Sequence, residues 1–114
     1  MLEPAPKANT SFLTAITVMR AGPEPVLCPF FGKCDGLLVI DGKDGAHVFL
    51  PNEARTSESL CDILLEVRPR RLICGFIGET NARALRAAGI DVRLALFRYS
   101  LDELVACFQS LPEA

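Results

Sequence analysis

The sequence predicts an α/β domain, a mixed five-stranded sheet with flanking helices in the order βββαβαβα. The first half of the chain is rich in β-favouring runs punctuated by turn residues, and the second half alternates short apolar runs with segments of helical period. Such alternation implies parallel pairing with right-handed crossovers. With 114 residues, half of them apolar, one core suffices, since a chain of this size buries roughly two-thirds of its unfolded surface on folding. The expected division is a disordered N-terminal tail over residues 1–11 and a single domain over 12–114.

Residues Phe12 to Met19 are β-rich and stop at Arg20-Ala-Gly-Pro-Glu-Pro25, where Gly22, Pro23 and Pro25 interrupt regular structure, so this segment reads as a strand and a loop. Gly36 to Asp41 is a second strand. The turn Gly42-Lys-Asp-Gly45 joins it to a third at Ala46 to Leu50, making a hairpin. From Thr56 the period changes: Leu60, Ile63, Leu64 and Val67 fall on one helical face, with Thr56 or Ser57 as N-cap and Pro69 as the stop. Arg70 to Cys74 is a fourth strand, Gly75-Phe-Ile-Gly78 a turn, and Glu79 to Ala88 a helix ended by Gly89. Ile90 to Leu96 is the fifth strand. Ser100 and Glu103 form a capping box that opens a last helix, with Leu101, Leu104, Val105 and Phe108 on its apolar face.

A formal charge of −2 provides no basic field for nucleic acid or anionic lipid. The longest apolar runs, such as Leu37 to Ile40 and Leu94 to Phe97, fall far short of the roughly 20 residues that cross a bilayer. Met1 to Ser11 lacks the apolar stretch and cleavage site of a secretory signal. A cytoplasmic location follows, in which thiols stay reduced. The five cysteines, at 28, 34, 61, 74 and 107, are then core residues or ligating thiolates rather than disulfides.

Ligands of open α/β sheets bind beyond the carboxyl ends of the strands, which selects two loops. In the first, Cys28-Pro-Phe-Phe-Gly-Lys-Cys34, two cysteines are candidate metal ligands of the kind that select iron–sulfur, copper(I) and zinc centres. Lys33 is placed to favour the Cys34 thiolate. Phe30 and Phe31, with Gly32 between them and Lys33, would shield such a centre, or serve merely as core anchors. In the second, Cys74-Gly-Phe-Ile-Gly78, the amides around Gly75, Phe76 and Gly78 precede a helix and suit an anion, although a tight strand-to-helix turn uses glycine equally. Cys74 reads first as core and second as a metal ligand. Cys61 and Cys107 read as core or helix-edge residues, and His47 as a partly exposed residue of the outer hairpin strand without a role. Hydrolytic chemistry has little support, because one histidine and no nucleophile elbow leave a triad without a persuasive base.

Taken together, Cys28 to Cys34, Leu38-Val-Ile-Asp41, Leu72 to Gly78 and Ala84-Leu-Arg-Ala-Ala-Gly-Ile-Asp-Val92 resemble the dinitrogenase iron-molybdenum cofactor-binding family, over roughly residues 13 to 109. The resemblance implies a ribonuclease H-like fold and a non-enzymatic carrier of an iron-molybdenum-type metal–sulfur cluster, with a cofactor-delivery protein as a further partner. Members typically carry Ser-x-His-Phe-Gly in the first loop, whereas this chain has Cys28-Pro-Phe-Phe-Gly32, so Phe30 replaces the histidine expected to help hold the cofactor. Three outcomes follow: thiolate ligation in place of imidazole, a cluster held by amides and shape, or a retained fold without metal. In the last case the domain would be an interaction or regulatory module, with Phe30 and Phe31 as an apolar contact patch. A thiol redox enzyme using Cys28 and Cys34 is the third class, and it requires the two sulfurs within bonding reach.

Overall fold

The computed structural model describes residues 11–20, 22–96 and 99–114. The expected tail over 1–11 therefore lies outside the described residues except for Ser11. The strands are β1 (Leu13–Arg20), β2 (Pro25–Leu27), β3 (Gly36–Asp41), β4 (His47–Pro51), β5 (Arg71–Cys74) and β6 (Asp91–Leu94); the helices are α1 (Ser57–Val67), α2 (Glu79–Ala87) and α3 (Leu101–Ala106). They form one mixed sheet ordered β4-β3-β1-β5-β6, with β2 also paired to β1. β1, β5 and β6 run parallel, as the alternation of strands and helices implies, and β3 and β4 form the antiparallel hairpin.

The sheet has six strands among the described residues, against the five expected. β5 covers only Thr14 to Ile16 of β1, so the far end of β1 has an open edge on that side. β2 fills it antiparallel, in the register Val18↔Leu27, Met19↔Val26 and Arg20↔Pro25. Pro25 is tolerated because it begins the strand, where a missing N–H costs no central ladder bond.

Each sheet face carries its own core. Ala15, Leu37, Leu72 and Val92 pack under α1 and α2 through Leu60, Leu64 and Leu85. On the opposite face Ile16, Val18, Leu27 and Ile73 pack against Leu104 and Phe108 of the α3 segment. The caps form as the sequence indicates: the Thr56 hydroxyl accepts the Ser59 N–H, and Ser100 and Glu103 complete a capping box. Arg68 takes a left-handed conformation (φ 48°) that turns the chain out of α1 just before Pro69.

Candidate functional site

The first loop leaves β2 at Cys28, makes a short 3-10 turn over Phe31–Lys33 and enters β3 at Gly36. The second leaves β5 at Cys74 and enters α2 at Glu79. β2 lies on the same side of β1 as β5, beyond its end, so the two loops emerge together. They are joined by a parallel bridge between Phe30 and Phe76. In that bridge the Phe31 N–H donates to the Phe76 carbonyl at 2.9 Å and the Phe76 N–H to the Pro29 carbonyl at 2.8 Å. Gly75 makes the approach feasible, since a Cβ there would stand 2.3 Å from the Pro29 oxygen. Gly32 sits equally tightly on the start of α1, where a Cβ would meet the Ser57 hydroxyl.

Between the loops lies an open cleft of about 340 Å³. Phe30, Phe31, Gly32 and Lys33 line one side and Phe76 and Gly78 the other. Of the sequence-predicted binding residues only Gly75 stands outside it, behind the bridge. Arg55, Thr56 and Ser57 complete the wall, and they are the residues that sequence reasoning misses. The one local signal for them is the Thr56 N-cap, because a helix N-terminus presents free amides wherever it points. Here α1 and α2 both begin at the cleft, with the Gly78 cap of α2 adding no side-chain acceptor. Two helix N-termini and the exposed Lys33 bring positive charge to the cleft, with the carboxylates Glu58 and Glu79 in the first turns of the same helices opposing it. Phe30 and Phe76 stand 56% and 73% exposed at its rim. The Arg55 guanidinium is paired with Asp35 at 2.7 Å, and Asp35 also accepts the Arg20 N–H at 2.7 Å.

The thiols lie beneath this cleft rather than in its wall. Cys28, Cys34 and Cys74 are 2%, 0% and 0% exposed and belong to the core under α1 and α2. Burial pushes the Cys34 thiol up to about 11, with the neighbouring Cys28 adding to the rise, and pushes Cys74 up to about 12. Burial also raises Cys28, whose Sγ donates to the Phe30 carbonyl at 3.2 Å. The expectation that Lys33 favours a Cys34 thiolate is thus corrected: Lys33 faces solvent, Cys34 faces the core, and desolvation holds the thiol neutral. Among the described residues no three His, Cys, Asp or Glu side chains are grouped to hold a metal ion. Cys61 is a buried residue of α1, Cys107 is half-buried at the C-cap of α3, and His47 is exposed on edge strand β4.

Across Phe76 a second hollow, of about 870 Å³, opens between β6 and α3. It is lined mainly by apolar groups such as Leu94, Leu96, Ala106 and Leu111. Its carboxylate, Glu103, is turned back to the Ser100 N–H. No described helix is long and apolar enough to cross a membrane.

A mixed sheet whose strand ends deliver two bridged loops and two helix N-termini to one cleft defines a small α/β domain with a candidate site at its loop edge. The chain belongs to the dinitrogenase iron-molybdenum cofactor family, whose profile matches residues 13–111. The apo form of the orange protein from Desulfovibrio gigas superimposes with a TM-score of 0.80 at 25% identity, covering 94% of this chain and 96% of that one. A NifB-like protein from Thermotoga superimposes with a TM-score of 0.71 at 18% identity, covering 89% and 91%; at that identity the likeness speaks for the fold alone. No curated protein sequence matches the chain significantly.

Proposed function

We propose that this domain carries an iron-molybdenum-type metal–sulfur cluster as cargo, without catalysing a reaction, and holds it by amides, charge and shape rather than by thiolates. The observation that supports this most strongly is the convergence of both helix N-termini on a cleft framed by Phe30 and Phe76. Such clusters are anionic, and the helix ends with Lys33 offset that charge. The two exposed rings offer apolar walls on either side of the cargo. Thiolate ligation through Cys28, Cys34 or Cys74 fits poorly, because it requires deprotonating thiols that burial holds neutral and opening the floor of the cleft. A cargo role implies a delivery or acceptor protein, a reducing cytoplasmic setting and, by family likeness, a ribonuclease H-like arrangement of the sheet.

The test is anaerobic titration with isolated iron–molybdenum cofactor. Wild type and Cys28→Ser are expected to bind within about twofold of each other, while Phe30→Ala with Phe76→Ala weakens binding about tenfold, the loss of two aromatic walls. Loss of binding in a folded Cys28→Ser protein restores the thiolate assignment. The exposure of Phe30 and Phe76 favours a second reading, an interaction domain without metal, which requires that wild type bind no cluster and that both alanine variants lose a protein partner.

A further inference from the structure

We propose that Arg55 is the anion-capturing side chain of the cleft and that Asp35 holds it in reserve until cargo arrives; this rests on the cluster-carrier reading above. Arg55 lines both the cleft and a neighbouring hollow that contains Asp35, so this residue borders two sites while its guanidinium rests on Asp35. Its mounting is rigid. Arg55 has a left-handed backbone (φ 51°), a conformation that disfavours side chains other than glycine. Its N–H is tied to the Asn52 carbonyl at 3.0 Å, and the buried Asn52 is in turn tied to Asp35 through its own N–H at 2.8 Å. The backbone therefore fixes where the arginine starts, immediately before the Thr56 cap of α1, and leaves the side chain free to choose its partner.

The Asp35 pair is built to exchange. Arg55 is 68% exposed in it, so solvent screens the attraction and the pair is weak despite its 2.7 Å contact. Asp35 keeps a partner when the arginine leaves, because the Arg20 N–H donates to its other oxygen at 2.7 Å. Departure of Arg55 thus strands no buried charge. In the cleft an anionic cluster would meet the guanidinium together with two helix ends and Lys33. The planar fork of arginine suits a face of several sulfur or oxygen acceptors better than a point charge does.

The experiment is anaerobic absorbance titration with tetrathiomolybdate, a soluble molybdenum–sulfur dianion, on wild type, Arg55→Gln, Asp35→Asn and the double variant, each checked for folding by circular dichroism. Arg55→Gln is expected to weaken binding by about fivefold or more. Asp35→Asn, whose amide oxygen can still accept the Arg20 N–H, is expected to tighten it by about two- to fivefold, the value of an exposed ion pair. In the Arg55→Gln background Asp35→Asn should change nothing; a general field effect of removing a carboxylate would persist there and would overturn the exchange. Weaker binding by Asp35→Asn, or unchanged binding by Arg55→Gln, also refutes the proposal while leaving the carrier reading intact. Absence of binding in wild type and Asp35→Asn alike overturns both.

Discussion

Alanine at Gly75 tests whether the site depends on the contact between its two loops. The added methyl would lie 2.3 Å from the Pro29 oxygen, 2.5 Å from its carbonyl carbon and 2.7 Å from the Cys28 oxygen. All three are backbone atoms, so no side chain can swing aside and the loops must part. Overpacking of this kind costs about 1–3 kcal/mol. Parting also strains the two hydrogen bonds of the Phe30–Phe76 bridge, worth about 1 kcal/mol each. Gly75→Ala should therefore lose about 2–4 kcal/mol, or roughly 8–16 °C in Tm for a domain of this size. Gly78→Ala is the control, since a Cβ there meets nothing within 4 Å and its φ of −68° suits alanine. Urea unfolding followed by circular dichroism measures both. If Gly75→Ala stays within about 0.5 kcal/mol of wild type, the level of an unremarkable surface change, or if Gly78→Ala is equally costly, the close approach does not hold the site together.

Further outcomes can be measured on the same protein. The neutral thiols of Cys34 and Cys74 make stability pH-dependent at the alkaline end: the unfolded chain loses these protons first, near 9.0, so stability is full below that and falls as pH rises through about 11 and 12. Urea midpoints on either side of pH 9 check this, and Cys34→Ala should flatten the decline. Iodoacetamide at mildly alkaline pH should label the half-buried Cys107 before the four buried cysteines, as read by peptide mass; labelling of Cys34 at an equal rate would contradict the burial argument. Thr56→Ala removes the hydroxyl that accepts the Ser59 N–H and should cost about 1 kcal/mol in urea unfolding.

The sequence is most legible where structure is local. The Ser100–Glu103 box, the Thr56 cap, the Gly42–Gly45 turn and the helical period from Leu60 to Val67 each lie within a few residues, and the structure shows all of them. β2 is hidden because it answers a tertiary need, the unpaired end of β1, in a segment dense with turn residues. Its concealment also affects the cysteines. Without β2, Cys28 reads as part of an exposed loop; with it, Cys28 is the residue just past a strand, and its N–H donates to the Thr17 carbonyl at 2.9 Å. Arg55 is invisible for a similar reason. Apart from the Thr56 cap, nothing in Asn52-Glu-Ala-Arg-Thr56 marks a wall of a cleft formed by residues 20 to 30 positions away on either side.

The position of β1 in the sheet has a consequence for synthesis. β1 is the first described strand in the chain, yet it pairs with β2, β3 and β5 and joins the antiparallel and parallel halves. Its antiparallel partners leave the ribosome soon after it. β5 follows nearly 60 residues behind the start of β1, a lag of roughly 3–12 s at ordinary elongation rates. Throughout that interval one edge of β1, with the apolar Ala15 and Ile16, has no strand to pair with. A nascent chain is therefore most prone to mispairing with its neighbours while Arg71 to Cys74 is still being made, and slowing elongation across α1 should lower the yield of folded protein more than the same pause placed after β6.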